Sequence, residues 1–303
     1  MAMRIATFGN SEQMIAAALR TQSTMANMQI QEASGITSSD FGGYGSSSQQ
    51  ILNLQVSVTR AQSYIDASTQ ASSKVEVMYS AMSSISDLIT QFRSLLTGAT
   101  SSTTTDATSV SQSAQDMLEQ MASLLNTQYG GDYVFGGART DQAPVDIDST
   151  VYAAMTSPSS ADTSYYKGDD ELASVRVSES QIVSYGVTAD NAAFEKAMRA
   201  MNLVANSTTL STDTLNEALD LAETAVDAVG VVQSRVSNAA SAIERASSFQ
   251  TEYQSYAQSL ATDLTSVDVA AVTAQLSTYQ AQLTASYAAI AKVQSLNLAS
   301  YLS

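Results

Sequence analysis

The residues of this chain most able to do chemistry are carboxylates. Asp141, Asp146 and Asp148 stand close together, and Asp169, Asp170 and Glu171 form a run. Carboxylates so grouped could hold a hard cation such as calcium, but they lack the ligand spacing and turn glycine of an EF-hand loop. A solvated strand face fits the first group better, and an exposed turn the second. Tyr165, Tyr166 and Tyr185 could stack against a sugar, although aromatic rings on a small β-rich segment more often form its core. Met78, Met82, Met117 and Met121 recur at helical spacing and read as packing between helices. The chain has no His, no Cys and no Trp, which removes the commonest metal ligands, the commonest general base and one strong nucleophile. It shows no Gly-rich phosphate loop and no nucleophile triad. The expectation is therefore a protein that is not an enzyme and uses no cofactor.

Charge narrows the partners. With 13 basic and 29 acidic residues the net charge is −16, which repels phosphate backbones and anionic lipid surfaces; neither nucleic acid nor membrane is expected as a partner. No apolar run is long enough to span a bilayer. The start of the chain lacks the apolar core of a secretory signal, because Thr7, Asn10, Ser11, Glu12 and Gln13 interrupt it. The protein is then either cytoplasmic or exported by a machine that cuts no signal.

The elements that would position these side chains are mostly helical. In the C-terminal stretch Val269, Val272, Leu276, Tyr279, Leu283, Tyr287, Ile290 and Val293 advance in steps of three and four, and Lys292 is the single charge from Val269 to Ser303. Such a seam needs a partner helix along its length, and so little charge on the remaining faces predicts cover by protein on more than one side. At the other end Ile5, Phe8, Ile15, Leu19, Met25 and Met28 give a weaker helical pattern, ended by Ser34-Gly35. The candidate assembly interface is accordingly Ile5, Phe8, Ile15, Leu19, Met25, Val272, Leu276, Tyr279, Leu283, Tyr287, Ile290 and Val293.

Between the ends, a long helix from Ser46 carries Ile51, Leu54, Val58, Ala61, Ile65, Ser68, Ser72, Val75, Met78, Met82, Ile85, Ile89, Phe92 and Leu96 on one face, closing at Gly98. Asp106 reads as the N-cap of a shorter helix that stops at Gly130-Gly131. Both prolines and the period-two stretches Ser174–Ser178 and Gln181–Tyr185 fall between Asp132 and Asp190. Lys167–Asp170 reads there as a hairpin turn following Ser164–Tyr166. Helix resumes near Asn191 with Phe194, Met198 and Met201. It resumes again after Ser211 with Leu215, Leu219, Ala222, Val226, Val229, Val236, Ala240, Ile243, Tyr253 and Leu260, and breaks at Thr265-Ser266. The fold class is mainly α: a long antiparallel helical rod with terminal coiled-coil helices and a small β-rich domain inserted in the middle. Its expected parts are terminal assembly helices (1–40 with 266–303, flexible in the monomer), a helical rod (41–137 with 191–265) and an outer β-rich domain (138–190).

An ordered set of short segments resembles the bacterial flagellin family, in particular its hook-associated, hook–filament junction members. Met3-Arg4-Ile5 resembles the family's opening, and Glu32-Ala33-Ser34-Gly35-Ile36 its Ser-Ser-Gly turn. The long helix from Gln49 to Leu96 is similar in character to the family's first rod helix. Gly131–Gly137 with Thr140-Asp141 resembles the exit to the variable domain, and Tyr166–Asp169 with Val175–Ser180 the outer β domain. Asn238–Arg245 and Thr265–Ala270 resemble the returning rod helix and the start of the last helix, and Val293–Leu302 the ending. The resemblance implies export in unfolded form through the flagellar channel, with a cytoplasmic chaperone on the C-terminal helix. It also implies self-association in a ring between a hook-side junction protein and flagellin. A filament flagellin is the alternative within this class. A surface glycan-binding module and a cytoplasmic coiled-coil signalling rod are the alternatives outside it.

Overall fold

The structure is a computed structural model and describes the backbone of residues 2–101 and 106–295, with side chains within 12–101 and 106–293. It is mainly α. Among the described residues six helices run in the order α1 (Ala2–Ser34), α2 (Ser48–Ser101), α3 (Ala107–Leu125), α4 (Ala192–Ala205), α5 (Thr212–Thr265) and α6 (Val269–Ser295). Two short hairpins, β1 (Gln128–Tyr129) with β2 (Asp132–Tyr133) and β3 (Ser174–Arg176) with β4 (Ile182–Ser184), are the sheets. The chain divides into two compact units, residues 1–59 with 254–303 and residues 60–253. None of the described helices is long and apolar enough to cross a membrane.

Helix starts follow local capping chemistry. The Asp106 side chain accepts the Thr108 N–H, Asn191 accepts Ala193 N–H, the Ser211 hydroxyl accepts Thr214 N–H, and Asp268 accepts Ala271 N–H. The ends depart from expectation. α2 runs through Gly98 to Ser101, since one glycine inside a long packed helix only weakens it. α3 stops at Leu125, before the glycines, with Asn126 as its C-cap. Gly130 and Gly131 instead make the two-residue turn of β1–β2, both at positive φ (62° and 95°), the backbone that such hairpin turns require.

The core of the 60–253 unit is a single hydrophobic cluster fed by α2, α3, α4, α5 and the segment between Phe135 and Ala189. On α2 its covered positions are Ala71, Val75, Met78, Met82, Ile85, Ile89, Phe92 and Leu96, so Ala71 takes the place expected of Ser72 and the alternation of three and four becomes regular. On α5 they are Leu215, Ala218, Ala222, Ala225, Val229, Val232, Val236, Ala239 and Ile243. Here Ala218, Ala225 and Ala239 lie on the covered seam where Leu219, Val226 and Ala240 were expected; the latter three pack at its flank. Small side chains let the packed surfaces approach closely, and larger ones beside them then cover the edges. Tyr253, also expected on the seam, is exposed.

The segment 138–190, expected as a β-rich outer domain, contributes to this core. It wraps α4, whose residues from Ala193 to Val204 are nearly all buried. Phe135 meets Phe194 edge to face at 5.9 Å, and Tyr152 meets Tyr165 likewise at 5.1 Å. Asn202, buried in α4, accepts Met155 N–H at 3.0 Å and donates to the Ala153 carbonyl at 3.2 Å. Glu195 accepts Asp162 N–H and lies 3.1 Å from Arg199. The β3–β4 hairpin forms where the alternating stretches predict, with Val175 and Val183 inward. The hairpin expected around Lys167–Asp170 does not form. Tyr166 bridges back to Val145 instead, and the following turn is held by Asp169, whose Oδ1 accepts the N–H groups of Ala138 (2.8 Å) and Glu171 (3.1 Å).

Candidate assembly interface

The terminal helices α1 and α6 pack on each other within the unit formed by residues 1–59 and 254–303. On α6 the more covered positions are Val272, Leu276, Tyr279, Leu283, Ser286, Ile290 and Val293, an unbroken alternation of four and three. On α1 they include Met14, Ala18, Thr21, Met25, Met28 and Glu32, with the same alternation. This is the stripe that keeps two helices in contact over several turns. Val272, Leu276 and Ala18 are its buried members.

The two helices are joined at one end by a clasp. α1 ends at Ser34, and Gly35 at φ 71° takes the left-handed C-terminal position, its N–H bonded to the Gln31 carbonyl at 2.8 Å. The extended residues that follow pair with the α5–α6 junction: Ile36 bridges Ser266, Thr37 N–H donates to the Thr265 carbonyl at 2.8 Å, and Val267 N–H donates to the Gly35 carbonyl at 3.0 Å. The Gln31 amide donates to the Thr37 carbonyl at 2.8 Å, and the Thr273 hydroxyl donates to Glu32 at 2.7 Å. Backbone bonds between positions so far apart in sequence hold the register of α1 on α6 at this end.

The candidate residues divide by face. Met25, Val272, Leu276, Tyr279, Leu283, Ile290 and Val293 lie on the stripe between the helices. Ile15, Leu19 and Tyr287 do not: they are 40%, 60% and 50% exposed, and Ile30 (60%) and Val269 (43%) join them. Ile5 and Phe8 belong to α1 by backbone, and their side chains lie outside the described residues, as do residues 296–303 of the ending. Sequence reasoning passed over Ala18, Thr21, Glu32 and Ser286, because small and polar residues leave little mark in an apolar count, and it also passed over the apolar Met14. Their mark is positional: each continues the heptad spacing of the larger residues.

The other candidate chemistry resolves into structure. Asp146 accepts Asp148 N–H, and Asp148 accepts both the N–H and the hydroxyl of Thr150, so these carboxylates close tight turns of their own chain. The bonds from Thr150 hold the Asp148 carboxyl below its ordinary pKa. Among the described residues no group of three His, Cys, Asp or Glu side chains is placed to hold a metal ion. Tyr165 and Tyr185 are buried, Tyr165 donating to the Ala189 carbonyl at 3.0 Å, and Tyr166 is half-buried with its hydroxyl on the Asp169 carbonyl at 2.6 Å. They form core and turn and offer no stacking platform. Met78, Met82 and Met121 are buried in the core, and Met117 packs against it.

Residues 5–140 match the family model of the bacterial flagellin N-terminal helical region. Searched against curated protein sequences, the chain finds no match. Among solved structures it is similar to a chain described as a flagellar hook-associated protein from Vibrio parahaemolyticus, with TM-score 0.61 and 15% identity over 72% of this chain and 97% of that one. It is also similar to hook-associated protein 3 from Legionella pneumophila (TM-score 0.45, 14% identity, 71% and 97% covered). A third is FlgL from Bacillus cereus (TM-score 0.41, 12% identity, 72% and 98% covered). The first of these carries the likeness of fold. Residues 5–140 thus resemble the N-terminal helical region of bacterial flagellins, and the fold is similar to that of the Vibrio chain.

Proposed function

We propose that this protein is the subunit joining hook to filament, polymerised through α1 and α6. One observation carries the reading: the α1–α6 pair closes one stripe and leaves Ile15, Leu19, Ile30, Val269 and Tyr287 on its open faces. Helices with little charge and large apolar side chains uncovered bury more surface when neighbours of the same kind pack around them. Deferring that burial to the destination suits a subunit exported unfolded without a cleaved signal, with a chaperone covering the C-terminal helix in the cytoplasm. The partners are then further copies of the chain in a ring, a hook-side junction protein and flagellin. The likeness in fold to the Vibrio chain, which is covered almost throughout, supports a junction subunit over a filament flagellin. Removing residues 269–303 tests the reading. The shortened chain is expected to keep the helical circular dichroism and unfolding transition of residues 60–253 while losing incorporation onto isolated hooks. Undiminished incorporation would refute assembly through these helices.

A further inference from the structure

The unit 60–253 carries a second surface that the terminal helices do not explain. A groove of about 430 Å³ runs between the β3–β4 turn and α5, lined by Ser178, Ser180 and Gln181 on one side and by Ala242, Arg245 and Phe249 on the other. Its one charged lining residue is a cation, Arg245, in a chain whose net charge is −16. Arg245 is exposed on its rim. Arg60 reaches Glu179 at 3.2 Å, and Arg176 donates to the Glu179 carbonyl at 2.8 Å. Arg60 thus pairs with the Glu179 carboxylate and Arg176 with its backbone carbonyl; Glu244, next to Arg245, points about 100° away around the helix. Phe249, one turn beyond Arg245, is 64% exposed, an aromatic ring left uncovered beside a cation.

We infer that this groove receives the acidic stretch of α5 from a second copy of the chain. From Ser211 to Ser234 the sequence contains Asp213, Glu217, Asp220, Glu223 and Asp227 and no Lys or Arg. Glu217 turns inward to Ser157 and Ser159. Asp220, Glu223 and Asp227 are exposed, in steps of three and four that align them on one face. Val231, one turn further on that face, is 71% exposed. Like charges at this spacing work against the helix that bears them, and a docked cation relieves this. A row of carboxylates ending in an uncovered apolar side chain complements a groove rim on which an arginine is followed by an uncovered ring. Two copies of so acidic a protein repel over most of their surfaces, so the place where opposite charges can meet selects how they approach. Groove and acidic face are different patches, and each copy presents both.

This inference rests on the reading of the protein as an assembling subunit, and the test separates the two. The chain has no cysteine, so single cysteines report contact without background. Ser180→Cys marks the groove, and Thr224→Cys marks the acidic face without removing a carboxylate. The two variant chains, mixed and incorporated on isolated hooks, are oxidised mildly. The mixed disulfide is expected to exceed the like-with-like disulfides several-fold. It should fall several-fold when Arg245→Glu is added to the groove chain, and return when Asp227→Arg is added to the other. Normal incorporation with no excess of the mixed disulfide, or an excess indifferent to charge reversal, overturns the groove contact and leaves the assembly reading standing. Failure of the unsubstituted chain to incorporate overturns both.

Discussion

Glu217 shows what single residues contribute here beyond apolar burial. Its carboxylate accepts Ser159 N–H at 2.7 Å and the hydroxyls of Ser157 and Ser159, tying that loop to α5. Burial by itself raises the Glu217 pKa, but the bonds from Ser157 and Ser159, with Arg199 nearby, outweigh it and hold the carboxyl below its ordinary value. A carboxyl depressed in the folded state stabilises the fold above its unfolded pKa, and the contribution is lost as pH falls through the depressed value. Glu217→Gln is therefore expected to be less stable than the natural chain at neutral pH, with the gap closing in acid below about pH 4. Urea unfolding of both chains at the two pH values measures it; a gap independent of pH would mean that the charge is not what holds the loop. Residues of this kind were poorly legible beforehand. Glu217 reads as one more acid on a helix face, and Asn202 as a neutral helix residue, until the 153–162 loop is laid over them.

At the scale of elements the sequence was far more readable, because capping and seam periodicity are local properties. Asp106, Asn191 and Ser211 announce their helices, and the alternating stretches around Val175 and Val183 pair as read. Two misreadings on α5, Leu219 for Ala218 and Val226 for Ala225, share a cause. An apolar count favours the larger residue, whereas the covered positions there are Ala218 and Ala225, where small side chains permit close packing. Gly230 lies off that seam, and a Cβ added there meets nothing within 4 Å. Gly230→Ala should then stabilise the 60–253 unit by about 0.5–1 kcal/mol, the difference in helix propensity between the two residues. Thermal unfolding reads this directly, and a lowered midpoint would show that the glycine serves close contact with something else.

Across the whole molecule the two units differ in how their helices are covered. In the 60–253 unit α4 is buried on nearly every side, and α2 and α5 feed one continuous core. In the other, α1 and α6 share a single stripe with large apolar side chains uncovered beside it. Opening free energy follows buried contact. Amide hydrogen exchange in the isolated chain is expected to be slowest in α4 and the facing turns of α2 and α5, and markedly faster in α1 and α6. Equal protection throughout would mean that the terminal pair is stable alone and has no need of neighbours.

The sequence by itself determined the class of protein. Its heptad seams and helix caps specify long packed helices, and an ordered set of short segments along the chain resembles the flagellins. These properties are carried by composition and by neighbours a few residues apart. Only the tertiary structure decided that Gly35–Thr37 clasps Thr265–Val267, that residues 138–190 wrap α4, and that Ile15, Leu19 and Tyr287 lie off the closed stripe. Each depends on which distant surface a face meets, and a helix with apolar residues on two sides leaves that choice to the packing energy of its partners.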